Sequence, residues 1–422
     1  MFFTSCIVAV LSVGAAIAHL LCAVYFRTKV ILQPAISHAD GNGLASILMS
    51  IRGADPSIEK SLIQLLNQDY ADFEIHLVVD HRRDAAWNLV HEIKEAFDHD
   101  CRLNIHEMKK PLKTCGLKCS ALLEGLAEVH PNTKYLVLID ADVIPHTSWL
   151  SQLIAPLSDK SIGVVTGNQW FEPVGSNPGS LLRSLWNAGA IVPTAIYSNP
   201  WAGTFAMRMR DFRRAKLRKI WRKSIVDDGP IRQALQPLGL KIYFNPALIM
   251  VNRERCDLSF VQRYISRMLT WSRMYEPTFL NTLLHCVFIM SVLTASAILL
   301  LSAVGTGDFA SLSAVTIGLA LTSLLNTFSY VIVRNGVSAS SNLGQHPLPE
   351  MRVARFIKLT LLTPIACVIY GMSCLQAAYR QKIQWRQITY ELRGKSGVKM
   401  TRYRPWVGDE SQEENAPSEI SI

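Results

Sequence analysis

Charged residues are scarce in this chain. Only 18% of the 422 residues are Asp, Glu, Lys or Arg, whereas 49% are hydrophobic. Soluble globular domains usually carry more charge than this. The stretch from Cys6 to Phe26 has no charged side chain at all. The composition therefore argues against an ordinary soluble protein and indicates membrane segments.

The cysteines lack the spacing of a disulfide framework or a zinc site. Nine are scattered along the chain, and the pair Cys115 and Cys119 stands alone. Zinc sites and disulfide-rich domains show repeated, closely spaced cysteines. We therefore expect reduced cysteines, as in a cytosolic protein. Internal repeats are also missing, and we expect the polar, acidic end after Asp409 to be disordered.

Four apolar stretches are long enough to interact with a membrane. Cys6–Phe26 can cross a hydrocarbon core of roughly 30 Å as a helix. A cleaved signal peptide fits less well, because no basic residue precedes the stretch and signal peptides have apolar runs of roughly 7–15 residues. We predict an anchor at 1–29 and a membrane block at 280–379, which contains Leu280–Val304, Leu312–Val333 and Phe356–Ala378.

Basic residues predict the orientation. Arg27 and Lys29 follow the first apolar stretch and nothing basic precedes it, so residues 30–279 should be cytosolic. Four simple crossings would place the polar tail, 380–422, on the opposite side. That tail is rich in Arg and Lys between Arg380 and Arg404, which contradicts this parity. We therefore expect a multi-pass membrane protein in which one apolar stretch is re-entrant or interfacial.

A basic run accounts for much of the net charge of +10. It could hold anionic lipid headgroups, or it could be a solvated helix face. Nucleic acid is a poorer partner, because no aromatic residues or known binding module accompany the run. Its members are Arg208, Arg210, Arg213, Arg214, Lys216, Arg218, Lys219, Arg222 and Lys223.

The segment after the anchor alternates apolar strands with helices. This alternation predicts an α/β fold with a parallel sheet covered on both faces. The predicted strands are 44–50, Glu74–Val79, Leu103–Glu107 and Tyr135–Ile139, and the predicted helices run from Asp55 to Asn67, Ala85 to Phe97 and Lys118 to Val129.

Acidic residues stand where the predicted strands end. Asp80 follows the second strand, and Asp140 and Asp142 follow the fourth. Open α/β sheets bind ligands beyond these strand ends. The pair Asp140 and Asp142 could hold Mg²⁺ or Mn²⁺, which prefer oxygen ligands. Such a cation would offset the charge of a diphosphate leaving group, although acidic residues also close strands simply as turn formers.

Two further elements carry possible chemistry. Asp227 and Asp228 could supply a general base, or they could cap a helix that starts near Pro230. Arg267 and Trp271 lie four residues apart on a predicted helix, Phe260–Met274. Alone, such a pair is more typical of a membrane-interface anchor.

Together, the four elements in this order resemble the inverting glycosyltransferases with the A-fold. The resemblance is strongest to the ceramide glucosyltransferases and their bacterial relatives, which have one N-terminal membrane helix, a cytosolic catalytic domain and a C-terminal membrane block. It implies an A-fold, Rossmann-like cytosolic domain at 30–279 together with transmembrane helices.

The resemblance also implies roles for individual residues. Asp228 would be the catalytic base. Asp80 would contact the nucleotide base, and Lys118 would contact donor phosphate. Asp140 and Asp142 would form the metal and diphosphate site, with Asp142 as the direct ligand. Asp227 stands where the family often has glutamate.

The acceptor side carries three implied residues. Arg267 and Trp271 match the outer positions of the family's Gln/Arg-x-x-Arg-Trp motif, but Thr270 replaces its inner arginine. Gly203 lies in a small-residue turn that the family places against the acceptor. Trp385, Arg386 and Tyr390 are similar to a terminal pattern of the lipid glycosyltransferases.

The predicted function is hexose transfer, with inversion, from a nucleotide sugar to a membrane lipid that is possibly ceramide-like, with Mg²⁺ or Mn²⁺ as cofactor. A UDP-sugar is the expected donor. A processive polysaccharide synthase is the alternative within the same class, although four apolar stretches are few for a polymer channel. An inactive scaffold that binds anionic lipid is the alternative from another class. Four mutually repelling acids at one cleft would have no use in such a scaffold.

Overall fold

The computed structural model describes residues 1–32, 42–340, 347–394 and 396–407. The polar end after Asp409 lies outside these residues. The described chain forms two compact units. The helical unit contains residues 1–32, Trp170–Ile196, 253–340 and 347–380, and the sheet unit contains 42–169, Tyr197–Asn252, 381–394 and 396–407.

The described residues form ten strands: β1 Ala45–Ile51, β2 Phe73–Val79, β3 Leu103–Glu107, β4 Tyr135–Ile139, β5 Ile162–Phe171, β6 Thr204–Arg208, β7 Lys241–Asn252, β8 Lys382–Trp385, β9 Ile388–Arg393 and β10 Gly397–Arg402. The α-helices are α1 Phe2–Tyr25, α2 Ile58–Leu66, α3 Ala85–Phe97, α4 Leu117–Glu128, α5 Trp149–Ile154, α6 Pro178–Ile196, α7 Met209–Arg214, α8 Leu217–Trp221, α9 Ile231–Leu235, α10 Leu258–Tyr275, α11 Phe279–Thr306, α12 Phe309–Ala339 and α13 Val353–Tyr379. A π-helical turn, Phe26–Ile31, continues α1.

A seven-stranded mixed sheet forms the centre of the sheet unit. Its strand order is β3-β2-β1-β4-β6-β5-β7. The four strands predicted from the sequence form its parallel half. The antiparallel pairings of β6 with β4 and of β5 with β6 were not predicted. The chain therefore adds three strands beside the parallel half.

The central strands are apolar on both faces. All five residues of β4 are buried. In β1, the neighbouring residues Ile47 and Leu48 belong to different core clusters, one of which includes Trp149 and the other Phe205. Successive side chains of a strand point to opposite faces, so this sheet has a core on each side. That packing fixes the strand ends, where the acidic residues lie.

A second, three-stranded antiparallel sheet in the same unit has the order β10-β9-β8. It includes residues from the segment that we described from sequence as the polar tail, 380–422. Buried side chains on its strands include Ile383, Ile388 and Tyr390.

The helical unit contains four apolar helices. Within the described residues, Phe2–Ile31, Phe279–Thr306, Phe309–Ala339 and Val353–Tyr379 are long and apolar enough to cross a membrane. Each contains one of the predicted stretches, which confirms their helical character. The number of crossings and the cytosolic side remain predictions.

A buried ionic cluster joins elements of the helical unit. The Glu172 carboxylate accepts from Arg334 of α12 at 2.9 Å and from Arg355 of α13 at 3.1 Å. The indole of Trp170 also donates to Glu172, at 3.1 Å. Glu172 and Arg334 are both buried. Loss of one partner would leave the other charge buried without compensation, which is strongly destabilising.

We predict that Glu172→Gln lowers the free energy of unfolding by about 3–5 kcal/mol, because Arg334 loses its buried counter-charge. The thermal unfolding midpoint of the detergent-purified protein measures the change. Glu107→Gln is the control, since its partner Arg82 is largely exposed and exposed pairs contribute about 0–1 kcal/mol. Equal midpoints for the two variants would contradict this account.

Candidate active site

The carboxyl ends of three adjacent parallel strands meet at one edge of the large sheet. Arg52 follows β1, Asp80 follows β2 and Asp140 follows β4, and the strand order places β1 between the other two. One cavity is lined by residues from all three strand ends, including Asp80, Lys118 and Asp140. The structure therefore brings together the predicted donor-binding residues at the edge where α/β sheets bind ligands.

Lys118 lies between two carboxylates. Its ammonium is 2.5 Å from Asp140 and 3.1 Å from Asp227. Burial alone would lower the pKa of the Lys118 amine, but the charges of Asp140 and Asp227 outweigh burial and raise it above the usual value of lysine. Lys118 is therefore a permanently charged cation among acids.

The position of Lys118 at the start of α4 depends on Gly116, which lets the backbone of the helix start lie close to the backbone of residues 224 and 225. The amide of Gly116 donates to the carbonyl of Ser224 at 2.8 Å. A Cβ on Gly116 would lie 2.0 Å from the carbonyl oxygen of Ile225. Only glycine allows such contact, so this position ties the helix start to the segment that carries Asp227.

Asp227 and Asp228 are neighbouring carboxylates whose environment shifts the pKa of each. Burial raises the pKa of Asp227, while the charge of Lys118 opposes this rise. Burial and the neighbouring charge of Asp227 raise the pKa of Asp228 to about 7. The Asp228 carboxylate accepts from the amide of Ala202 at 3.3 Å. A carboxylate with a pKa near neutrality is well suited to act as a general base.

Asp142 is buried in the loop that follows β4, two residues after Asp140. The side-chain amide of Gln169 lies 3.4 Å from its carboxylate. Among the residues that the structure describes, no cluster of three or more His, Cys, Asp or Glu side chains is arranged to hold a metal ion. Asp140 and Asp142 nevertheless supply the hard oxygen donors that fit Mg²⁺ or Mn²⁺, which commonly use one or two carboxylates and complete their coordination with substrate phosphates.

Asp80 is almost fully buried and accepts three hydrogen bonds. The guanidinium of Arg52 pairs with its Oδ2. The backbone amide of Trp406 donates to the same oxygen at 2.8 Å, and the Tyr403 hydroxyl donates to Oδ1 at 2.9 Å. The predicted contact with a nucleotide base thus involves a carboxylate that the C-terminal segment already holds in place.

Gly203 lies in a tight turn next to the acidic pair. A Cβ on Gly203 would lie 2.0 Å from the indole of Trp201, and the preceding residue, Ala202, donates to Asp228. The packing of the Trp201 indole against Gly203 is sufficient to explain why this position is a glycine. Its contact with an acceptor remains a prediction.

Arg267 and Trp271 belong to α10 of the helical unit. The guanidinium of Arg267 lies 5.9 Å from the ring centroid of Tyr264. Thr270, which replaces the motif's inner arginine, is buried and donates its hydroxyl to the carbonyl of Ser266 at 2.6 Å. Thr270 therefore satisfies its hydroxyl within the helix, and the roles of Arg267 and Trp271 remain predictions.

The basic run divides into one buried residue and an exposed set. Arg208 is buried and pairs with Asp211 at 2.5 Å, so it stabilises the fold. The other members are exposed, as both sequence interpretations require: Arg210, Arg213, Arg214, Lys216, Arg218, Lys219, Arg222 and Lys223.

Sequence reasoning missed three residues of this edge: Arg52, Tyr403 and Trp406. Arg52 lies two residues beyond the predicted strand 44–50 and directly follows the observed strand β1, so the rule that pointed to Asp80 could also have identified it. Tyr403 and Trp406 lie more than 300 residues from Asp80 in the chain, and no local pattern connects them.

A family comparison identifies the class of protein. The family described as Glycosyl transferase family 21 matches residues 5–398. The chain therefore belongs to this family and is a glycosyltransferase. The match confirms the predicted resemblance and, with the mixed sheet and the apolar helices, the predicted fold class.

Solved structures of glycosyltransferases are similar at low identity. A mannosyltransferase from Pyrobaculum calidifontis in complex with GDP-Man and Mn²⁺ is 14% identical, with a TM-score of 0.48, over 89% of this chain and 97% of that chain. A glucosyl-3-phosphoglycerate synthase from Mycobacterium tuberculosis in complex with Mn²⁺, UDP and glucosyl-3-phosphoglycerate is 16% identical, with a TM-score of 0.36, over 57% of this chain and 85% of that chain. The assignment rests on the family match.

We predict that Gly116→Ala lowers the rate of glycosyl transfer by about 100-fold, because a shift of about 1 Å in a positioning element can cost this much. The new Cβ would push α4, and Lys118 with it, away from Ile225. Transfer rate and thermal unfolding midpoint are measured together. Gly189→Ala is the control, since a Cβ there has no neighbour within 4 Å. A fully active Gly116→Ala variant would contradict the proposed constraint.

Proposed function

We propose that this glycosyltransferase moves one hexose, with inversion, from a nucleotide sugar to a hydroxyl group of a membrane lipid such as a ceramide-like lipid. The observation that carries the proposal is the acidic edge of the sheet, where Lys118 lies between Asp140 and Asp227 and Asp228 has a pKa near neutrality. A diphosphate leaving group needs cations, and an acceptor hydroxyl needs a base.

Asp228 acts on the acceptor, and Lys118, Asp140 and Asp142 act on the leaving group. Asp228 takes the proton of the acceptor hydroxyl. The acceptor oxygen then forms a bond to the anomeric carbon while the bond from that carbon to the diphosphate breaks on the opposite side, which inverts the configuration. Lys118 offsets the charge that develops on the diphosphate. Asp140 and Asp142 would hold Mg²⁺ or Mn²⁺, which supplies further charge stabilisation to the leaving group.

Two features of the helical unit favour a lipid acceptor. Four helices in the described part of the chain are apolar enough to span a membrane. The helix that carries Arg267 and Trp271 ends at Tyr275, and the next apolar helix begins at Phe279. These residues would thus lie close to headgroup depth, where indole and guanidinium groups are well accommodated. The proposed catalytic side is cytosolic, as Arg27 and Lys29 predict.

The exposed basic run is consistent with a membrane-bound active site. Each Lys or Arg near an anionic surface contributes about 1 kcal/mol of attraction. Eight exposed basic residues lie between positions 210 and 223. We propose that they hold the sheet unit against anionic lipid.

The acceptor class is tested by following labelled sugar into products. Purified protein receives a labelled UDP-sugar together with either total lipid extract or water-soluble sugars and proteins. We expect label in the organic phase with the lipid extract and none with Asp228→Asn, which should lose about 10²–10⁴ in rate. Label found only in a water-soluble product or a long polymer would contradict the lipid proposal and favour a polysaccharide synthase.

The base assignment predicts a pH dependence. Asp228 must be deprotonated to accept the proton, and its pKa is raised to about 7. The ratio kcat/KM should therefore rise as the pH increases through neutrality and then level off. A profile that stays flat through neutrality would exclude Asp228 as the base. Retention of donor binding by Asp228→Asn separates this role from that of a donor ligand.

A further inference from the structure

The C-terminal segment reaches the strand ends that form the proposed donor site. We propose that the described residues of this segment, 382–394 and 396–407, form a wall of that site, and that Tyr403 is a positioning residue that orients Asp80 towards the donor's nucleobase. The proposal rests on the proposed function and adds a specificity-determining element to it. It concerns residues of the sheet unit alone.

Among the described residues, the hydrogen bonds of Asp80 use three of its four acceptor positions. An ionised carboxylate offers about four lone-pair positions on its two oxygens. Oδ2 accepts from Arg52 and from the amide of Trp406, whereas Oδ1 accepts from the Tyr403 hydroxyl. The fourth position is on Oδ1, and Asp80 lines the cavity that also contains Lys118 and Asp140. An imide or amine N–H of a nucleobase is a suitable donor for it.

Tyr403 and Trp406 fix the orientation of the Asp80 carboxylate, because each donates a hydrogen bond to one of its two oxygens. The guanidinium of Arg52 lies 5.4 Å from the ring centroid of Trp406 and 5.7 Å from that of Tyr403. Arg52 also donates to the carbonyl of Arg404 at 2.8 Å. The Asp80–Arg52 ion pair is therefore enclosed by the chain that follows β10. An orienting shell of this kind sets the geometry of a polar contact.

A strained hairpin forms a second part of the same wall. Trp385 and Arg386, at the turn between β8 and β9, line the cavity. Arg386 has a φ of 40° and Gln387 a φ of 65°. Two-residue hairpin turns with positive φ favour Asn-Gly or Asp-Gly, and the left-handed conformation is strained for residues other than glycine. Arg386 therefore occupies a strained turn position while it lines the cavity.

Hydrogen bonds lock this hairpin to the strand ends. Arg386 donates to the carbonyl of Arg52, and Arg52 donates to the carbonyl of Arg386 at 2.9 Å. The Tyr390 hydroxyl accepts from the amide of Leu117 at 3.1 Å, next to Lys118. The C-terminal sheet is thus attached to two residues that line the cavity, Arg52 and Leu117. This double attachment is what a permanent wall requires.

The test compares nucleotide binding by the intact protein and by Tyr403→Phe, which removes one hydroxyl. UDP and GDP are titrated separately in the presence of Mn²⁺, and the ratio of their dissociation constants reports recognition of the base. We expect Tyr403→Phe to weaken binding of the preferred nucleotide by about 10-fold, as for a hydrogen bond to a charged group, and to reduce the ratio. In transfer assays, the donor KM should rise while kcat stays nearly constant.

Tyr379→Phe is the matched control, because Tyr379 is 82% exposed. This substitution should leave both dissociation constants unchanged. Unchanged binding by Tyr403→Phe with a lower thermal midpoint would show a purely structural role and overturn the proposal. Tighter binding would overturn it as well, because the segment would then compete with the donor. If the wild-type protein bound neither nucleotide, the proposed function itself would fail.

Discussion

The proposed active site depends on a lysine ammonium held among carboxylates at the carboxyl edge of the sheet. Asp140 and Asp227 both contact Lys118, and Asp228 adjoins them in the chain. At 4 Å and an effective dielectric constant near 20, two unit charges interact by about 4 kcal/mol. Without this cation, neighbouring acids would repel one another or take up protons. Lys118 thus lets several carboxylates share a partly buried edge, and it leaves Asp228 as the acid whose pKa lies near neutrality.

Several distant parts of the chain serve to position this lysine. Gly116 lets the start of α4 approach the backbone of Ile225, and Tyr390 of the C-terminal sheet contacts the amide of Leu117. The buried strand β4 fixes Asp140. The first two contacts restrain the start of α4, and the third holds the carboxylate that pairs with Lys118. A site on rigid elements with a supporting shell holds its geometry better than one on free loops.

Prediction from the sequence succeeded where the signal is local. Short, largely apolar segments that alternate with helical patterns indicated β1 to β4, and the boundaries of α3 and β4 were predicted to the residue. The position rule for strand ends then led to Asp80 and Asp140. Strand prediction failed where pairing is non-local, because β5, β6 and β7 join the sheet through partners far along the chain. Likewise, Tyr403 and Trp406 look like part of a polar tail until the fold brings them to Asp80.

Calorimetric titration of UDP, with and without a divalent cation, tests the central claim most directly. The account predicts that UDP binds in Mn²⁺ or Mg²⁺, that excess chelator abolishes most of the affinity, and that Asp142→Asn removes the dependence on the cation. These outcomes follow if Asp140 and Asp142 share a cation with the diphosphate. Equal UDP affinity in chelator and in Mn²⁺, or an Asp142→Asn variant that responds to the cation like the wild-type protein, would contradict the account.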